Sequence, residues 1–180
     1  MTEAVNRPWK RWISDLRFTW IAVLLLSVLP GVIYGTGIFS MMVLSGAVLL
    51  GLPTALLAQF LSSDIDWRAR LWRRVAVLVA VPILALVAIF QTDKLAPEMA
   101  APIAKAIESF KQETGYYPDS LATLSPKYLP SIPAVRVAIF QPEVIYRVSE
   151  GRPYLAVPSA AGDAFSIYEY SFEDKSWTHH

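Results

Sequence analysis

Apolar and charged positions divide the chain into two unlike halves. From Phe18 to Leu61 there is no Asp, Glu, Lys or Arg, and the same holds from Val75 to Thr92. As one helix the first run would be about 66 Å long at ~1.5 Å per residue, more than twice the ~30 Å of a bilayer's hydrocarbon core. It must fold back. Pro30-Gly31 and Gly35-Thr36-Gly37 mark the place, because glycines break a helix cheaply at a turn. The pattern predicts a helical hairpin, Phe18–Tyr34 out and Phe39–Leu61 back, with Pro53 kinking the second arm. Gly31 and Gly35 also match GxxxG, but beside a turn they are read as turn residues. A third span covers about Leu71–Phe90 around Pro82, with its uncharged part from Val75 and with Arg73 and Arg74 reaching back toward headgroups.

After the spans the period changes. A short link, Gln91–Ala96, leads to a helical pattern over Glu98–Thr114. Ile103, Ile107 and Phe110 recur on one face beside Ala100 and Ala104, Pro97 and Pro102 lie near the start, and Gly115 is placed to cap the end. Asp119 or Ser120 can cap one short turn bearing Leu121 and Leu124. Pro126, Pro130 and Pro133 then stiffen an extended loop. Val135–Phe140 is a candidate strand, and Glu143–Ser149 and Tyr154–Pro158 flank a hairpin signal at Glu150-Gly151-Arg152-Pro153. Phe165–Ser171 reads as a further strand, followed by a turn toward Trp177. One amphipathic helix on an antiparallel meander is an α+β plan.

The expected fold class is a membrane protein: three transmembrane helices plus a small extracytoplasmic α+β domain. The expected boundaries are a cytoplasmic tail over 1–17, the hairpin over 18–61, a cytoplasmic basic loop over 62–74, the third helix over 75–91 and the outer domain over 92–180. Composition agrees. The 180 residues are 54% hydrophobic but only 17% charged, below the ~25% of soluble domains, which leaves one domain of roughly 85–90 residues outside the spans. Arg7, Lys10, Arg11 and Arg17 precede the first helix, Arg68, Arg70, Arg73 and Arg74 follow the second, and the turn between them has no such charge. By the positive-inside rule the N-terminus and the basic loop are cytoplasmic and the C-terminal domain lies on the other side. Trp9, Trp12, Trp20, Trp67 and Trp72 fall near the expected interfaces. No small-residue cleavage pattern follows Leu26, so a cleaved signal peptide is not expected.

A net charge of +1 gives no pull toward nucleic acid. The absence of cysteine removes disulfides, thiolate metal sites and a cysteine nucleophile. HExxH, P-loop, GxSxG and GxGxxG signatures are missing, and the hydrocarbon part of the expected spans holds no Asp, Glu, Lys, Arg or His for a proton relay or ion coupling. His179 and His180 are read as a terminal tail. Asp163, Glu173 and Asp174 are read as solvated turn residues without calcium-loop spacing. Glu98, Glu108 and Glu113 are read as wet helix face. Tyr116, Tyr117, Tyr146, Tyr154, Tyr168 and Tyr170 fit half-buried sheet positions better than a ligand platform. No catalytic, cofactor-binding or metal residue is therefore assigned, and no enzyme is expected.

The stretch Ile103–Pro130 carries a helix ending at Gly115, then Tyr117-Pro118, the spaced Leu121 and Leu124, and Tyr128-Leu129-Pro130. In that order, and followed by an antiparallel meander, it resembles the head of type IV pilins and type II secretion pseudopilins over about Pro97–Trp177. The resemblance stops at the anchor. Arginines precede Val75, there is no Gly-Phe junction or early Glu, and two extra helices come first, so processing and polymerisation like a pilin are not expected. It implies a bacterial inner-membrane protein whose periplasmic domain binds another protein, as an accessory subunit of a pilus or secretion apparatus. Alternatives are an immunity protein neutralising a periplasm- or membrane-acting toxin, and a membrane enzyme or transporter subunit. The expected partners are the lipid bilayer and one protein at the periplasmic face.

Overall fold

A computed structural model describes residues 16–161 and 166–180. Arg7, Lys10, Arg11, Trp9, Trp12, Asp163 and Phe165 lie outside the described residues. The chain forms two compact units. One comprises Phe39–Val87 and the chain up to Gly31; the other comprises Val32–Ile38 and Ala88–His180.

The first unit is helical. Helix α1 runs Arg17–Tyr34 and α2 runs Ile38–Leu61, with Gly35–Gly37 as the turn and φ of 64° at Gly35. Helix α3 runs Ile65–Asp93, and its last turn, from Ala88, belongs to the second unit. All three are long and apolar enough to cross a membrane. π-Helical turns at Leu24–Val28 and Ala47–Gly51 come just before Pro30 and Pro53. A proline lacks the N–H and crowds the carbonyl one turn back, and a widened turn accommodates both. Leu16, Val23 and Val77 are buried together, with Trp20, Val43, Leu78 and Val81 against them. Ser27 Oγ and Ser40 Oγ form a buried 2.8 Å hydrogen bond between α1 and α2.

The connection expected over 62–74 is far shorter. Only Ser62–Asp64 is non-helical. Asp64 Oδ1 accepts the Trp67 N–H at 2.9 Å, and Asp66 lies in the first turn of α3, so carboxylates cap the positive end of the helix dipole. The Arg68 guanidinium donates to the Gln59 carbonyl at 3.3 Å. Trp20 and Trp72 are half-buried, and their indole N–H groups have no partner among the described residues, while Trp67 is exposed.

In the second unit, only Lys94-Leu95 separates α3 from α4, Ala96–Thr114. Gly115 ends α4 with φ 85°, its N–H donating to the Lys111 carbonyl at 2.8 Å. The buried stripe is Ala96, Ala100, Ile103, Ala104, Ile107 and Phe110, with Ala106 beside it. A 3-10 turn at Leu121–Leu124 adds the buried Leu124. The sheet is a meander in the order β1 (Ile145–Ser149), β2 (Arg152–Pro158), β3 (Ile167–Ser171) and β4 (Ser176–His179), with every pair antiparallel. Registered rows Tyr146–Leu155–Tyr170–Trp177 and Val157–Tyr168–His179 share one face, as period-two alternation requires, and that face covers the α4 stripe.

The structure also revises the readings of the C-terminal histidines and of Val135–Phe140. His179 is in β4 with its ring 4.6 Å from that of Tyr168, and His180 exchanges two backbone hydrogen bonds with Ile167, so the histidines belong to the sheet. Val135–Phe140 is an irregular loop. One side chain organises it: Gln141 Oε1 accepts the Val135 and Arg136 N–H groups, and Gln141 Nε2 donates to the Arg136 and Ala138 carbonyls. Four backbone groups are thereby satisfied without a ladder.

Candidate functional site

Strand β1 is an edge strand, pairing among the described residues with β2 alone. Glu150 and Gly151, at φ 52° and 75°, form the two-residue loop of a I′ hairpin. Ser149 and Arg152 are then the hydrogen-bonded pair next to the loop, and antiparallel alternation turns the backbone N–H and C=O of Tyr146 and Val148 away from β2. Pro153, opposite Val148, fits this register because its missing N–H is not needed there. Beside the open edge lies a cleft of about 460 Å³, with walls that include Leu121, Ile132, Pro133, Pro142 and Val144 and with Glu143 as its charged residue. Tyr146 forms part of the cleft, and its hydroxyl is tied down by donating to the Pro118 carbonyl at 2.9 Å. Burial pushes that phenol up to about 12, and Tyr117 and Asp119 add to the effect. The arrangement is an unpaired strand edge next to an apolar slot, held by a tyrosine that stays neutral.

A second cluster centres on Asp93, the last residue of α3 and only 4% exposed. Asp93 Oδ2 accepts hydrogen bonds from the Ser159 hydroxyl at 2.9 Å and the Tyr168 hydroxyl at 3.2 Å, and Oδ1 accepts the Ala160 N–H at 2.9 Å. Arg136 is also buried. One of its terminal nitrogens donates to the Pro158 carbonyl, and its Nε has no partner among the described residues. Burial lowers the Arg136 pKa, opposed by the Asp93 carboxylate and by Tyr168. Burial, then Asp93, raises that of Tyr168. With three donors already directed at it, this carboxylate is a structural hub, fastening the end of β2 and the start of β3 to the end of α3. Sequence reasoning missed it, since a lone Asp between an apolar run and Lys94 reads as the polar edge of a span.

The remaining acidic candidates are accounted for locally. Asp174 and Glu173 are exposed in the β3–β4 turn, where Ser171 Oγ donates to Asp174 Oδ2 at 2.9 Å. Glu98 is exposed. Glu108 departs from the wet-face reading: it is half-buried and accepts the Tyr170 hydroxyl at 2.7 Å. Glu113 bonds Lys127 and Tyr128, and those two hydrogen bonds hold its carboxyl below the usual range. Among the described residues, no three His, Asp or Glu side chains converge as a metal-binding group. Tyr117, Tyr128, Tyr146 and Tyr168 pack against the core and Tyr170 is part of it, whereas Tyr116 is exposed.

No family model, no curated protein and no solved structure matches the chain.

Proposed function

We propose that this protein is a membrane-anchored binding protein, with three helices crossing a bacterial inner membrane and the C-terminal domain on the periplasmic side. The partner is an extended segment of another protein, which adds a strand along β1 and sets an apolar side chain in the neighbouring cleft. The observation that carries the reading is the open backbone of Tyr146 and Val148 beside that slot, because an unpaired edge gives affinity through main-chain hydrogen bonds and the slot gives specificity. The uncharged runs and the placement of arginines support the membrane orientation. The order of helix, Tyr-Pro, spaced leucines and meander resembles a pseudopilin head, which supports a pilus or secretion component as the partner.

The test is photo-crosslinking in cells, with probes at Ile132, Glu143 and Arg147 and a control probe at Glu173. A protein captured by the first three and not by the control supports the reading. Val148→Pro removes an outward N–H while leaving the β1–β2 bonds, so it abolishes capture without loss of protease resistance. Probes that reach only lipid or the chain itself sink the proposal.

A further inference from the structure

The loop that follows the buried Arg136 is uncharged from Val137 to Pro142 and turns its apolar side chains outward. Val137 is 54% exposed, Ile139 67% and Phe140 60%. Three such side chains close together would be costly in water, and isolated exposure does not explain them. Their backbone shows where they are held. Ile139 N–H donates to the Val32 carbonyl at 3.3 Å and Phe140 N–H to the Ile33 carbonyl at 2.8 Å. Val32 and Ile33 lie in the last turn of α1, where helical carbonyls have no partner within the helix. Inside a bilayer such carbonyls must be satisfied by protein. The Phe140 ring stacks on that of Tyr34 at 5.8 Å, at the final residue of α1. Gly35, with φ 64°, lets the loop approach: a Cβ there would run into Arg136 Cδ and lie 2.9 Å from Ala138 Cβ.

We infer that Val137, Ile139 and Phe140 form a lipid-inserted loop that enters the bilayer leaflet on the domain's side, at the level where α1 ends. The inference rests on the reading of α1 as a membrane span. Its occupant is lipid and not a protein, because the loop is bonded to a helix end that itself lies at the hydrocarbon boundary. The Gln141 amide, by holding Val135, Arg136 and Ala138, keeps the loop's polar backbone occupied while its side chains face outward. Arg136 is turned inward to the Pro158 carbonyl, so no charge opposes insertion. The expected depth is about 5–10 Å, at the boundary of headgroups and acyl chains. The loop thus acts as an anchor beyond the three spans.

The chain has no cysteine, so single labels are direct to place. Full-length Val137→Cys, Ile139→Cys and Phe140→Cys would each carry an environment-sensitive fluorophore in nanodiscs of phosphatidylethanolamine and phosphatidylglycerol. Leu49→Cys in α2 and Glu173→Cys in the β3–β4 turn serve as references. The expected result is strong quenching of the loop labels by lipids brominated near the headgroup, weaker quenching by deeply brominated lipids and little by aqueous iodide. Leu49 is expected to respond to the deep lipids and Glu173 to iodide. If Leu49 responds to lipid while all three loop labels respond to iodide, or to neither quencher, the loop lies in water or under protein and the inference is overturned. If Leu49 itself shows no lipid quenching, the membrane reading fails, and the inference falls with it.

Discussion

Removing the Asp93 carboxylate tests whether the end of α3 and the sheet are one structural unit. In Asp93→Ala the Ser159 hydroxyl, the Tyr168 hydroxyl and the Ala160 N–H all lose their acceptor. Each buried donor left unpaired costs about 1–3 kcal/mol. The two hydroxyls can rotate toward other acceptors, but the Ala160 N–H cannot, so the net loss is about 3–5 kcal/mol. Asp93→Asn is the informative contrast. Its Oδ1 still accepts from Ala160, and its amide can donate to the rotated hydroxyls. What disappears is the charge, which strengthened those bonds and faced the buried Arg136. That costs about 1 kcal/mol. For a domain of this size each kcal/mol shifts Tm by about 4–8 °C. Asp93→Ala therefore lowers the midpoint by at least about 12 °C, and Asp93→Asn by about 4–8 °C. The assay is thermal protease resistance of the full chain in nanodiscs, with fragments located by mass so that the second unit is followed separately from the first. Arg136→Met in the Asp93→Asn background should deviate from additivity by about 0.5–3 kcal/mol, since both residues share the cluster. An Asp93→Ala protein melting within about 2 °C of wild type refutes the hub.

Three further outcomes follow from local geometry. Gly35→Ala combines left-handed strain of about 1–2 kcal/mol with an overpacking cost of about 1–3 kcal/mol against Arg136 and Ala138; Gly115→Ala has open space around it and carries the strain alone, so equal melting shifts for the two would refute the close approach. Tyr146 and Tyr170 are held neutral, each with its pKa pushed up to about 12, by burial and, for Tyr170, also by Glu108. Their stabilisation is complete below the unfolded value of about 10 and is lost as pH rises through the folded values; ultraviolet titration should show late-titrating phenols, with Glu108→Gln moving that of Tyr170 to lower pH. Ser27→Ala and Ser40→Ala each remove the same interhelical bond, so a double-mutant cycle should return about 1 kcal/mol of coupling, and additive effects would place the hydroxyls apart.

What could be read from the sequence was whatever local pattern determines. An uncharged run twice too long for one span, with Gly35 and Gly37 in it, leaves little choice but a hairpin turning at those residues. The α4 stripe and its Gly115 stop follow from the same kind of information, as does the Glu150-Gly151 turn, although β2 begins at Arg152, closer to the turn than the expected Tyr154. β4 was hidden because a strand of four residues, Ser176–His179, is too short to display alternation; its neighbours in β3 define it.

The candidate sites are harder to read because their meaning lies in distant partners. Asp93 and its three acceptor bonds reach 66 to 75 positions along the chain, and nothing near Thr92 or Lys94 announces them. Gln141 looks like an ordinary loop amide until four backbone groups within six positions converge on it. Val135–Phe140 reads as a candidate strand, but a strand needs a neighbour, and here Ile139 and Phe140 give their N–H groups to the end of α1. The apolar residues that suggested a half-buried strand are thus left facing outward, at a helix end whose own carbonyls needed donors. One set of bonds satisfies the helix terminus and sets the orientation of Val137, Ile139 and Phe140. The same residues cannot be moved to a sheet without leaving Val32 and Ile33 unpaired.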